Sequence, residues 1–216
     1  MKNYRQVNAT MKKGYISNPV ISRMPRYYRC IDELYHEKCV RVSSAVLAER
    51  LGLTASQVRQ DFSCFGEFGQ QGYGYNVETL REEIANILGL PIQNSIIIVG
   101  CGNLGHALLN NFDFQACGMT LVGAFDKSPE LIGQKIGAYV VESLDQMPEI
   151  MEHYHPEIAV LCVPRNYAQT VAEQLVSMGI RGIWNFTNHE LNLPGQVKVE
   201  NVVFQDSLLL LGYKIN

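Results

Sequence analysis

Apolar positions recur with a helical period over the first part of this chain and then give way to apolar strands alternating with amphipathic helices. Residues 1–20 are polar, include Gly14 and Asn18-Pro19, and show no sustained period, so they are expected to form a flexible basic arm. From 22 to about 38, Tyr28, Ile31, Leu34 and Tyr35 recur every three or four residues and predict a first amphipathic helix, with Pro25 near its start. A strand-like piece at 39–42 leads to Ser43-Ser44, good N-cap residues for a second helix ending at Leu51. Thr54 and Gln57 form a capping box that starts a third helix at Ala55, with Val58, Phe62 and Phe65 facing inward. A second such box, Thr79 and Glu82, precedes a helix with the stripe Leu80, Ile84, Ile87 and Leu88 that stops at Gly89. Beyond it come strands at 96–99, 120–125, 138–141, 158–163 and 182–186, with helices after 105, at 144–154 and at 167–178. That alternation predicts an α/β domain with a doubly wound parallel sheet.

The first of these strands breaks into Gly100-Cys101-Gly102-Asn103-Leu104-Gly105. In a dinucleotide fingerprint the first glycine permits a tight turn, the second lets the backbone approach a pyrophosphate, and the third lets the helix pack against the strand. The second strand ends in Asp126, 21 residues after Gly105, where a carboxylate would bond both ribose hydroxyls of an adenosine and repel a 2′-phosphate. NAD(H) is therefore expected in preference to NADP(H). In doubly wound sheets ligands lie beyond the carboxyl ends of the strands, so Val163-Pro164 and Asn185-Phe186 are expected to wall the nicotinamide half. The expected cofactor set is Gly100, Gly102, Asn103, Leu104, Gly105, Asp126, Lys127, Val163, Pro164 and, from the resemblance given below, Phe204. A glycine turn and a solvated aspartate in an ordinary α/β domain is the alternative.

In the front part, Ala48, Gly52 and Val58 have the spacing of a helix-turn-helix: a small residue where helices approach, a glycine at the turn and a branched plug. Its second helix leaves Gln57, Arg59, Gln60 and Ser63 as candidates for a DNA groove. The aromatics and glycines of 65–75 then read as a wing, and Ser43, Ser44, Gln71 and Tyr73 complete the candidate DNA-binding set. A small helical protein-docking module is the competing reading of 22–75, since helix-turn-helix units also serve as docking surfaces.

Charge sharpens the division. Residues 1–80 hold 11 Lys and Arg against 7 Asp and Glu, and 81–216 hold 7 against 14, within a net charge of −3. A basic front suggests a polyanion partner, or a merely solvated tail. Six cysteines, none in a CxxC spacing, fit buried reduced thiols better than disulfides or zinc. No apolar run reaches the length of a membrane span, and no signal-peptide core is present, so a cytoplasmic protein without membrane or metal partners is expected. The tail carries Leu208 to Leu211, four consecutive leucines that one neighbour cannot bury, so this helix lies either in a core or, as preferred, under a second chain. No paired carboxylates or nucleophile–base set accompany the glycine loop, which argues for a binding domain over a small dehydrogenase.

Together the segments ISRMPRYYRC, RVSSAVLAERLGLTASQVRQDFSCFGEFG, GYGYNVETLREEIANILGL, IVGCGNLGHAL, CVPR, GIRGIWNF and NVVF resemble the Rex family of bacterial redox-sensing repressors, over 20 to about 213. The resemblance implies a winged-helix domain at 21–90, a Rossmann-type NAD(H) domain at 91–200 and a domain-swapped dimerisation segment at 201–216. It also implies a homodimer on A·T-rich palindromic operators, bound when NAD⁺ dominates and released by NADH. By the same resemblance Phe204 stands against the nicotinamide, Gln57 and Arg59 lie on the recognition helix, and Arg29 links DNA binding to the redox switch. Several positions depart from the family pattern. Gln60 and Gln71 replace basic residues, Asn103 replaces a residue that is often basic beside the pyrophosphate, Asn111 replaces a tyrosine and Val203 an aspartate. Arg29, Asn111 and Val203 make up the implied interdomain switch, and Val203 cannot accept a side-chain hydrogen bond. A Rex-like paralogue that binds NAD(H) but has altered switching and operator binding is the second reading.

Overall fold

A computed structural model describes residues 16–66, 68 and 73–215. The chain divides into two compact units, Met1–Pro91 and Ile92–Asn216.

In the first unit, α1 spans Asn18–His36 and starts earlier than the sequence period predicts. Pro19 lies in its first turn, where a missing N–H costs nothing, and Val20 is already buried. The rest of the predicted arm, 1–15, lies outside the described residues. Then follow β1 (Arg41–Val42), α2 (Ser44–Leu51), α3 (Ala55–Ser63), β2 (Tyr75–Asn76) and α4 (Val77–Leu88). Between α2 and α3 the backbone turns at Gly52, which adopts φ 66° and closes α2, while Leu53 N–H donates to Ala48 O at 2.8 Å. Ala48 and Val58 are buried at the α2–α3 crossing, as the helix-turn-helix spacing requires. Thr54 accepts from Gln57 N–H, but the Gln57 amide reaches forward to Asp61, so the expected reciprocal box is half made. At α4 the cap is Asn76, whose side chain accepts from Thr79 N–H, so the expected Thr79–Glu82 box is replaced by a cap three residues earlier. Of the predicted wing, β2 pairs antiparallel with β1 across Val42 and Tyr75. Residues 67 and 69–72, Gln71 among them, lie outside the described residues.

The second unit is built on β3 (Asn94–Val99), α5 (Asn103–Asn111), β4 (Met119–Asp126), β5 (Lys135–Ile136), β6 (Tyr139–Ser143), α6 (Met147–Tyr154), β7 (Ile158–Leu161), α7 (Ala168–Ser177), β8 (Gly182–Asn185), β9 (Lys198–Asn201) and α8 (Phe204–Ile215). The sheet order is β5-β6-β4-β3-β7-β8-β9, all parallel except the β5–β6 hairpin. From β3 the chain first winds outward through β4 to β6 and then returns to the other side of β3 at β7, so the winding reverses at β3. At such a switch point the loops after neighbouring strands splay apart and leave a crevice. Ile97 and Val99 join Met147, Met151, Ala172 and Leu175 in one core, and Ile96 and Ile98 join Leu109, Phe114 and Val160 in the other. Burial on both faces is why β3 reads as a continuous apolar run. The edge strands β5 and β9 escaped the sequence reading because they are short and carry exposed charges, Lys135, Lys198 and Glu200.

Candidate nucleotide and DNA sites

The crevice over β3 holds a cavity of about 690 Å³, of the size of a small-molecule site. Gly100 has φ 95°, and a Cβ there would stand 2.6 Å from the backbone of Cys162. At Gly105 an added Cβ would come within 2.0 Å of Gly100 O, so α5 lies against the strand only because that position has no side chain. Gly102, by contrast, meets nothing within 4 Å, which leaves open space in front of the backbone where a pyrophosphate would approach. The first turn of α5 has no side-chain cap, so its N–H groups remain for an anion.

Asp126 closes the other side. Its Oδ2 accepts the Cys101 N–H at 2.6 Å and its Oδ1 accepts the Ser128 N–H at 2.8 Å, which pins the carboxylate against the start of the glycine loop. A carboxylate has about four acceptor positions, so two remain for ribose hydroxyls. Among the described residues, the glycine loop, Asp126 and the open approach at Gly102 together fit an adenine dinucleotide.

Of the expected cofactor residues, Gly100, Gly102, Asn103, Asp126, Lys127, Val163 and Pro164 line this cavity. Gly105 is buried behind it, and Leu104 lies in the first turn of α5 outside its lining. Phe204, the first residue of α8, is 64% exposed, with its ring 6.3 Å from that of Phe186. Asn185 is not on the lining of this cavity. It is buried, accepts from Thr187 N–H and Oγ1, and donates to His189 O and Asn201 Oδ1, tying together the ends of β8 and β9. The sequence reading missed Ser128, Pro129, Leu131, Leu144, Tyr167 and Val171 on the lining. Leu144 was discoverable as the residue just after a third strand, whereas Tyr167 carries no signal before the sheet order is known.

Cys162 lines this cavity and Cys101 lies in the glycine loop beside it, and burial pushes both thiols up to about 12. At neutral pH they stay protonated and are poor nucleophiles. Cys30 is buried as expected, but Cys117 is exposed, because the tight turn after α5 carries it outward.

In the first unit the candidate DNA residues converge only in part. Arg59 Nη1 donates to Ser44 Oγ at 3.0 Å, Ser43 caps α2, and Arg41 Nη1 donates to Tyr73 O at 2.8 Å with its guanidinium 5.9 Å above the Tyr73 ring. Gln60 and Ser63 are exposed on α3, where Ser63 Oγ donates to Gln60 O. Gln57 is held by Asp61 at 2.8 Å. Arg41 was missed by the sequence reading because an arginine on a two-residue strand has no helical pattern to mark it. Several basic residues of the first unit are paired internally: Arg23 with Asp61, Arg50 with Glu37 and Arg81 with Asp32. Arg29 lines a separate depression with Arg26, Glu33 and Arg50. In the second unit Asn111 donates to Ala107 O, and Val203 accepts Asp206 N–H through its backbone.

The sequence comparisons give the same division. A family model described as a CoA binding domain matches residues 91–189, and one described as a putative DNA-binding protein N-terminus matches 15–63. A protein named redox-sensing transcriptional repressor Rex, from Caldicellulosiruptor bescii, is 47% identical over 205 residues, covering 95% of this chain and 94% of its own length. The chain belongs to the Rex family. Its members are named as transcriptional repressors, not as enzymes. Among solved structures, the Rex-family repressor RSP in complex with β-NAD⁺ and operator DNA has TM-score 0.88 and 44% identity, over 94% of each chain. RSP in complex with β-NADH has TM-score 0.86 and 41% identity, over 94% of this chain and 96% of that one. The fold of a Rex chain, a helix-turn-helix unit followed by a dinucleotide-type parallel sheet, is therefore the fold described above.

Proposed function

We propose that this chain is a redox-responsive repressor that binds operator DNA as a homodimer and leaves it when NADH occupies the crevice over β3. The observation that carries this reading is the pairing, in one chain, of a helix-turn-helix unit with a glycine-loop crevice whose Asp126 is set for ribose. Support comes from RSP, similar over nearly the whole chain and solved with β-NAD⁺ and operator DNA and with β-NADH. NAD(H) is the proposed ligand, held by Gly100, Gly102, Asn103 and Asp126 at the adenosine and pyrophosphate end, with Val163, Pro164 and Phe204 toward the nicotinamide. Ser43, Ser44, Arg59, Gln60, Ser63 and Tyr73 are the proposed DNA contacts, with Arg41 added. The expected operator is an A·T-rich palindrome, and such a regulator acts in the cytoplasm. No described helix is long and apolar enough to cross a membrane.

A titration against a labelled A·T-rich palindrome at fixed low salt tests this reading, with no cofactor, with NAD⁺ and with NADH. Tight binding released by NADH alone is expected. Binding indifferent to NADH would favour the second reading, a paralogue with altered signalling. That reading has its own support in Val203, Asn111 and the uncharged Gln60 on α3, because phosphate-driven affinity falls as positive contacts are lost. No binding in any condition would overturn operator recognition.

The homodimer is proposed from α8. None of its described side chains is buried, and Leu208, Leu209, Leu210 and Leu211 are each more than half exposed. A leucine is worth about 1.5–3 kcal/mol on full burial, so a free helix of this kind is a costly surface that a second copy would cover. Removing residues 203–216 is expected to convert the dimer to monomer or aggregate in size-exclusion chromatography with light scattering. A well-behaved dimer after truncation would contradict the role of α8.

A further inference from the structure

The crevice carries a contact outside the glycine fingerprint. Lys127 directly follows Asp126 at the end of β4. Tyr167 ends the single turn, Arg165–Tyr167, that leads from β7 into α7. Because β4 and β7 flank β3, the two residues stand on opposite banks of the crevice. They meet across it: Lys127 Nζ lies 3.6 Å from the centroid of the Tyr167 ring. Both line the cavity, and the neighbouring lining residues Leu131, Leu144 and Val171 make that end apolar.

Asp126 fixes where an adenosine ribose would sit, and the glycine loop fixes the pyrophosphate on one side of it. The base must then extend to the other side, into the apolar end beneath the Lys127–Tyr167 bridge. We propose that Tyr167 and Lys127 form an adenine clamp: the tyrosine ring covers the base, and the ammonium, stacked on that ring, holds it across the crevice. The inference rests on the NAD(H) reading and assigns the adenine end to two residues that act as a pair. A lysine ammonium over an aromatic ring is attracted by its quadrupole, more strongly when shielded from water. An aromatic face also binds any purine without reading its edge, so the clamp grips the part shared by NAD⁺ and NADH. It therefore sets the total nucleotide concentration at which the sensor fills and leaves the redox discrimination to the nicotinamide end.

The test is calorimetric titration of the full chain with NADH, NAD⁺ and ADP-ribose. Tyr167→Ala is expected to weaken all three by a common factor of about ten or more, the scale of losing one base–aromatic stack. Lys127→Met is expected to weaken all three by about three- to ten-fold, the scale of a cation–π contact. Tyr167→Phe, which keeps the aromatic face, should recover most of the affinity that Tyr167→Ala loses. Circular dichroism of each variant checks that the fold is unchanged. Unchanged affinity in folded Tyr167→Ala overturns the clamp, and so does tighter binding in Lys127→Met, which would make the lysine a plug. A parent chain that binds neither NADH nor ADP-ribose overturns instead the NAD(H) reading on which the clamp rests.

Discussion

Asp61→Ala is expected to destabilise the N-terminal unit by about 3–5 kcal/mol, the usual cost of removing one partner from a buried charge pair. Asp61 lies on α3, the second helix of the helix-turn-helix, yet is completely buried. Its carboxylate takes both Nε and Nη2 of Arg23 at 2.6 and 2.8 Å, the Tyr27 hydroxyl at 2.8 Å and the Gln57 amide at 2.8 Å. Arg23 and Tyr27 come from α1, so this one side chain fastens α3 to α1. Alanine would strand the Arg23 guanidinium and the Tyr27 hydroxyl beside the aromatic cluster of Tyr27 and Phe62, whose rings lie 4.9 Å apart. The chain supplies its own internal control. Its single tryptophan, Trp184, is in the second unit, so fluorescence follows that unit while far-ultraviolet circular dichroism follows both. In a urea titration of Asp61→Ala, an early circular-dichroism transition should separate from an unshifted fluorescence transition. Coincidence of both with the parent curves would remove Asp61 from the stability of the unit.

The same residue has a pH signature. Burial opposes ionisation of Asp61, but the hydrogen bonds from Arg23, Tyr27 and Gln57 and the Arg23 charge outweigh it and hold the carboxyl below the ordinary aspartate value. A carboxyl that is more acidic folded than unfolded stabilises above its unfolded pKa, about 3.9, and the gain is lost as pH falls through the folded value. Asp61→Asn should therefore flatten the loss of stability on acidification below about pH 4 relative to the parent.

Gly105→Ala is expected to cost about ten-fold or more in NADH affinity, because the helix that presents the anion-binding N–H groups can no longer lie against the strand. The methyl would sit 2.0 Å from Gly100 O, a backbone atom that cannot rotate away, so α5 must leave the strand and carry the anion-facing turn with it. Overpacking of this kind also costs about 1–3 kcal/mol of stability, here in the unit that Trp184 reports. Gly102→Ala separates the two effects. Its backbone, φ −64°, suits any residue, and an added methyl meets nothing within 4 Å, so the fluorescence transition should not move. Affinity should still fall about ten-fold or more, because the methyl occupies the approach of the pyrophosphate. If Gly102→Ala bound NADH like the parent, the pyrophosphate would not lie against this loop.

Features carried by neighbours along the chain were legible in the sequence. The helix-turn-helix spacing of Ala48, Gly52 and Val58, the glycine loop with Asp126 at the end of the next strand, and the unburied leucines of the tail each depend on local period or local backbone geometry. Local patterns failed where two hydrogen-bonding choices compete within a few residues: Asn76 took the cap assigned to Thr79, and the Gln57 amide turned from its box to Asp61. Charge counting gave the basic front but not where each charge goes: Arg23 and Arg50, both counted there, are paired with Asp61 and Glu37. Tertiary structure alone decided that Asp61 is a buried tie and not a solvated face, that Asn185 is a knot between strand ends, and that Tyr167 faces Lys127 across the crevice. The physical reason is common to all three. A polar or aromatic side chain acquires its role from partners that the sheet order and the helix packing bring near, and no period along the chain encodes which partners those are.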